Sequence, residues 1–348
     1  MRDFLDVLKG MVVIALMTGL VLLIVPAAVV FLSEGLWPGD GTGFEGVNFA
    51  NKVDVPQKID VWLDKEKKSV TVDFEDYVAC VTASEMPASF HEEAIKAQSV
   101  AARTYAMAKV QKFGNGGPDE HPKAPVCNTV HCQVYRNEEE LIAAHSPDWA
   151  QDGWAKVRKA CQSTEGQLLY YEGTLVTQPL FFSSSGGQTE NSEDVFVSAV
   201  PYLISVSSPY EEEATHQNEE KIFTIKEFRN KMKKAFPEEN FGNADEGNIK
   251  VISRTAGGRV DKMQIGDVTL RGTQVRSALG LSSSLFSISF REGSGWSGNS
   301  ASRKQIVFTS SGSGHGVGMS QYGANGMAKE GKSYKEILRH YYSGTEIY

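Results

Sequence analysis

Glu85 stands alone among small and apolar neighbours in the stretch "VTASEMPASFHEEAIKAQSVAARTYAM", Val81–Met107. A carboxylate beside Ala83, Met86, Pro87 and Phe90 is placed to lose hydration, which raises its proton affinity and suits a general acid working near neutral pH. An approaching helix N-terminus would pull the other way, and an ordinary pre-helix acid is the plain alternative. Lys96 and Arg103 lie two helical turns apart and share a face. They suit the oxygens of a polar substrate, or ion pairs with Asp73, Glu75 or Asp76, the commoner use of such residues.

His121, Cys127, His131 and Cys132 supply two imidazoles and two thiols in one loop, the ligand types of a closed tetrahedral zinc site. Adjacent His131 and Cys132 depart from the usual CxxC knuckle, and a Cys127–Cys132 disulfide competes. Zinc is favoured because it gives both histidines a use. Cys80 and Cys161 read as core thiols. Two Gly-rich tracts, "SSSGGQTEN" with Ser185 and "SGSGHGVGMSQYGA" with His315, Gln321 and Tyr322, let a backbone approach a ligand closely. The second lacks GxxxxGK[ST] spacing and follows no βαβ unit, which argues against nucleotide binding. The absence of a GxSxG elbow disfavours a serine hydrolase.

The elements that must position these groups follow from periodicity. "KIDVWL" and "SVTVDF" alternate around "DKEKK" as a hairpin. Ser89 and Glu92 form a capping-box pattern for a helix over 90–110. A loop spans 112–137, and a second hairpin turns at Glu172-Gly173. Thr224 and Glu227 open a charged helix over 226–235, read as a solvated face. "GRVDKMQIGDVTLRG" is a third hairpin, followed by a short helix, the strand "LFSISF", a loop over 293–302, the strand "KQIVFTSS" and two short C-terminal helices. Hairpins interleaved with helices, without βαβ alternation, predict an α+β fold of mostly antiparallel sheet.

A net charge of -8 speaks against nucleic acid as the partner. The uncharged run Met11–Leu32 is long enough to cross a bilayer, with Arg2 and Lys9 before it and, after it, Glu34, Asp40 and Glu45 with no Lys or Arg until Lys52. It predicts a single-pass anchor at 11–32 with a cytoplasmic N-terminus at 1–10, a linker at 33–54 and an extracytoplasmic domain at 55–348. A cleaved signal peptide is the alternative, disfavoured by the length of the run.

Three blocks together, "DYVACVTASEMPASFHEEAIKAQSVAARTYAM", "FFSSSGGQTENSEDVFVSAVPYLISVSSP" and "SGSGHGVGMSQYGANGMAKEGKSYKEILRHYYSGTEI", resemble the stage II sporulation protein D family, which includes amidase enhancers. The resemblance implies a lytic transglycosylase that cuts peptidoglycan between N-acetylmuramic acid and N-acetylglucosamine during forespore engulfment. It would act at the engulfing membrane of the mother cell, beside a membrane-anchored amidase and a further membrane partner. It places the catalytic acid on Glu85 and a glycan contact on Arg103, with Lys96, Tyr202, His315 and Tyr322 in blocks that resemble a glycan-binding cleft, and Ser185 and Gln321 of the Gly-rich tracts are read as further substrate contacts. It also implies zinc on the His/Cys loop. A hydrolysing muramidase using Glu190, Glu193 or Asp194 as second carboxylate, and a non-catalytic amidase activator, are the competing readings.

Overall fold

The computed structural model describes residues 52–196, 198–293 and 304–348. The expected anchor, the linker up to residue 51 and almost all of the loop at 293–302 lie outside them. The expectation of a single-pass membrane location is corrected here: among the described residues no helix is long and apolar enough to cross a membrane.

The first hairpin pairs Lys58–Leu63 with Lys68–Asp73, with Ile59 opposite Val72 and Val61 opposite Val70. Val126–Cys127 joins its edge in parallel. Helix α1, Phe74–Glu85, follows at once. Asp73 ends the strand because its side chain caps α1, accepting from the Glu75 and Asp76 amides. Phe74, Tyr77, Val78 and Val81 then recur at helical spacing and are buried. Extending the strand through Phe74 therefore missed a helix. Helix α2, Glu92–Phe113, is capped by His91 rather than by Ser89. It is lined with Ala94, Ala97, Ala101 and Ala102, small residues that let neighbours pack closely. The neighbours include α1 and α4 (Gly153–Gln162), while α3 (Glu138–Ala143) packs against α1.

The second hairpin closes Leu169–Tyr171 on Thr174–Leu175, with positive φ at Glu172 and Gly173, as a tight two-residue turn requires. Phe181–Phe182 pairs in parallel with Met319–Ser320. After the short α5 (Ser192–Val195), Glu219–Thr224 leads into α6, Ile225–Ala235, through the expected Thr224/Glu227 capping box. This helix is not wholly solvated: Ile225, Phe228 and Met232 are buried. Strands at Ile249–Arg254, Val260–Ile265 and Val268–Arg271 form an antiparallel sheet followed by α7, Gly272–Leu279. Phe286–Glu292, Lys304–Ser310 and Glu219–Thr224 make another. The chain closes with α8 (Gln321–Lys329), α9 (Tyr334–Tyr341) and a strand, Thr345–Ile347, on the Leu169–Tyr171 edge. The architecture is α+β with small sheets, mostly antiparallel. One apolar cluster gathers α1, α2, α4, α8 and α9, and a second lies between residues 225 and 308.

Candidate active site and metal cluster

Glu85 closes α1, so its carboxylate sits at the negative end of its own helix. That reverses the expected electrostatics. Burial raises the proton affinity of Glu85, and one amide, Val134 N–H at 2.7 Å from Oε1, offsets part of that rise. No neighbouring charge among the described residues contributes to the shift.

The turn after Glu85 is held by two elements. Lys156 of α4 donates to the carbonyls of Ala88 and Phe90. From α8, Gln321 Nε2 donates to the Glu85 carbonyl at 3.0 Å, Tyr322 meets Phe90 edge-on at 5.0 Å, and Asn325 Oδ1 accepts from the His91 amide at 2.8 Å. Positions 321, 322 and 325 share one side of α8, so the last block of the sequence docks on the first.

Other expected substrate residues are engaged elsewhere. Arg103 is 0% exposed and forms a two-pronged ion pair with Glu75, at 2.8 and 2.7 Å, and also donates to the Cys161 carbonyl. The expectation of a glycan contact is corrected: Arg103 offers no surface to a sugar. Lys96 pairs with Glu92 at 3.1 Å and Glu93 at 2.8 Å. Buried Tyr202 accepts from the Gln178 amide through its hydroxyl. Ser185 is buried, its amide donating to Glu211 and its hydroxyl accepting from Gly187.

His315 accepts from the Val317 amide on Nδ1, so Nε2 carries the proton donated to the Phe181 carbonyl. Desolvation pushes its pKa down to about 4, which keeps the ring neutral. The glycines around it admit the chain itself rather than a ligand. A Cβ at Gly316, where φ is +88°, would stand 2.4 Å from the Arg259 guanidinium. Glu190 is 0% exposed and paired with Arg259 at 3.2 Å, so it is unavailable as a second catalytic carboxylate.

The ligand atoms of His121, Cys127, His131 and Cys132 lie within 4.8 Å of one another, and the four cysteines are free thiols, which corrects the disulfide alternative. Bonds of about 2.05 Å to nitrogen and 2.3 Å to sulfur at tetrahedral angles put ligand atoms roughly 3.3–3.8 Å apart. His121 Nε2 is 3.2 Å from His131 Nδ1 and 3.3 Å from Cys132 Sγ, and His131 Nδ1 is 3.8 Å from Cys127 Sγ. His121 Nδ1 donates to the Ala124 carbonyl, which fixes Nε2 as the ligand. The group could hold a metal ion. Its chain leads directly to the acid, since Val134 follows Cys132 by two residues.

Sequence reasoning missed Val134, Lys156, Asn325 and Glu211. Asn325 stands four residues after Gln321, a helical signal open to reading. A backbone amide such as that of Val134 leaves no mark in residue type.

Fold and site define an α+β protein with a partly buried acid, Glu85, of raised proton affinity, and a His/Cys cluster followed two residues on by Val134, which bonds that acid. A family model described as stage II sporulation protein matches residues 64–171, a span that includes Glu85 and the cluster. The stage II sporulation protein D of Bacillus subtilis (strain 168) is 38% identical over 296 residues, covering 84% of this chain and 79% of the relative. That of Bacillus amyloliquefaciens is 36% identical over 292 residues, with the same coverage. An amidase enhancer of B. subtilis is 28% identical over 312 residues, 77% of this chain and 39% of the relative. The chain belongs to the stage II sporulation protein D family.

Proposed function

We propose that this chain is a lytic transglycosylase of sporulation that cuts peptide-free peptidoglycan strands between N-acetylmuramic acid and N-acetylglucosamine. The observation that carries this reading is a single carboxyl group, Glu85, whose proton affinity is raised by burial with no second carboxylate bonded to it among the described residues. Hydrolysis usually needs two carboxyl groups across the scissile bond. Here one suffices, because the nucleophile is the substrate's own hydroxyl. Protonated Glu85 gives its proton to the leaving O4 of N-acetylglucosamine as the C1–O4 bond breaks. The carboxylate then takes the proton of the muramyl C6 hydroxyl as O6 bonds to C1, closing a 1,6-anhydro ring and restoring the acid without water. Tyr322, half-buried against Phe90, would line the glycan path, and Gln321 would hold the Glu85 backbone.

The cluster would hold zinc through His121, Cys127, His131 and Cys132. Four protein ligands leave no open position, so zinc would supply loop stability rather than reaction chemistry. The relative named amidase enhancer supports a partnership with a cell-wall amidase that strips stem peptides. The same relative motivates a second reading, a non-catalytic activator that binds glycan. Mass spectrometry of products from peptide-free glycan decides. Anhydro-ended fragments are expected from the wild type and none from Glu85→Gln; reducing-end products, or cleavage retained by the variant, would overturn the assignment.

A further inference from the structure

Beside the turn that follows Glu85 lies a groove of about 520 Å³, within the range common for small-ligand sites. One wall is the turn itself, Pro87–Ala88–Ser89, and the other is formed by His145, Trp149 and the start of α4. His145 stacks on Trp149 at 3.9 Å and 9°, and Trp149 lies near-parallel to Trp154 at 6.3 Å and 19°. Gly153 permits this stack, because a Cβ there would meet the indole at 2.6 Å. His145 donates Nδ1–H to the Leu141 carbonyl at 2.7 Å, leaving Nε2 of the exposed ring without a bond among the described residues.

We propose that this groove is a sugar subsite, holding an N-acetylhexosamine unit of the same strand whose bond lies at Glu85. The proposal rests on the reading of Glu85 as the glycan-cleaving acid. Pro87 follows Glu85 by two residues, which keeps the groove wall within roughly 7 Å of the acid's backbone. A pyranose packs its C–H face on flat rings, and the stack offers such a surface. Its hydroxyls and acetamide N–H need acceptors. Asp148 and Asp152 line the groove and supply such acceptors, and the Asp152 side chain does not cap its helix. The single lysine of the lining, Lys156, is engaged with the Ala88 and Phe90 carbonyls. Cation-poor and ring-floored, the groove suits a neutral sugar rather than a phosphate or an acidic peptide.

The test uses the full chain carrying Glu85→Gln, titrated with a soluble N-acetylglucosamine tetramer and followed by calorimetry and indole fluorescence. Ser146→Trp fills the groove from an exposed position whose side chain caps nothing, so folding is not at stake. Trp149→Ala removes the floor. Both are expected to weaken tetramer binding about tenfold, and Trp149→Ala to abolish the fluorescence change. Unchanged affinity in Ser146→Trp, or no tetramer binding by the parent, would overturn the subsite. Weakened binding alongside a wild type that releases no anhydro product would keep the subsite and sink the transglycosylase reading instead.

Discussion

At the scale of single residues, the raised proton affinity of Glu85 has two consequences of opposite value to the protein. As an acid it works only while protonated, so activity is expected to fall as pH climbs through the raised pKa, measured as a pH–rate profile on peptide-free glycan. Folding also raises the proton affinity above the ordinary carboxylate value, so the native chain holds more protons than the unfolded one across that window. Stability therefore declines as pH rises through it. Glu85→Gln keeps an acceptor for Val134 and carries no charge. It should melt at or above the wild-type temperature near about pH 8 while losing activity, a trade common at functional sites. A lower melting temperature there would mean that the fold prefers the carboxylate. Arg103 is the counterexample to function by residue type. Arg103→Met strands Glu75 beside the core and is expected to cost about 3 kcal/mol in denaturant unfolding. A variant that unfolds like the wild type but binds glycan poorly would restore Arg103 to the substrate.

At the scale of elements, α1 and the cluster loop act on Glu85 together. α1 delivers the carboxyl group at its C-terminal end, and the loop returns the Val134 amide to meet it. Gln133, next to Cys132, donates to the Tyr77 hydroxyl and the Ala102 carbonyl, stitching the loop to both α1 and α2. Metal binding to such a loop is folding free energy for the segment that carries Val134. Purified protein is expected to hold about one zinc ion per chain. Chelation, or Cys132→Ser, should lower both the melting temperature and the rate. A metal-free chain of full stability and activity would remove the zinc assignment.

Across the whole molecule, the second apolar cluster meets the Gly-rich loops through Arg259. From the hairpin strand Val260–Ile265 and the turn before it, its guanidinium reaches the Ser185 and Gln188 carbonyls as well as Glu190. Glu211 gathers the amides of Ser185 and Gly186 and the hydroxyls of Ser208 and Ser320, and Ser320 caps α8, whose first residue bonds Glu85. Buried ions of this kind are costly to break singly. Arg259→Met is expected to lower the unfolding free energy by about 3–5 kcal/mol, read from denaturant midpoints, because Glu190 stays buried without its partner. Loss of activity with unchanged stability would place Arg259 at the substrate.

The hairpins, the capping box at Thr224 and the isolation of Glu85 were legible in the chain, because alternation, caps and composition are local properties. The cluster of two histidines and two cysteines was legible as a set of ligand types, and the structure adds that both thiols are free and that the four groups lie close enough to hold a metal ion. Local pattern could not say which charged residues meet. Arg103, Glu190 and His315 have the chemistry of a site, yet they spend it inside the fold on Glu75, Arg259 and the Phe181 carbonyl. Those partners lie 28, 69 and 134 residues away. Residue type and spacing by themselves determined an α+β chain with Glu85 as its leading candidate acid. Only the tertiary structure decided which neighbours that acid keeps, because desolvation and hydrogen bonding are set by segments that meet in space.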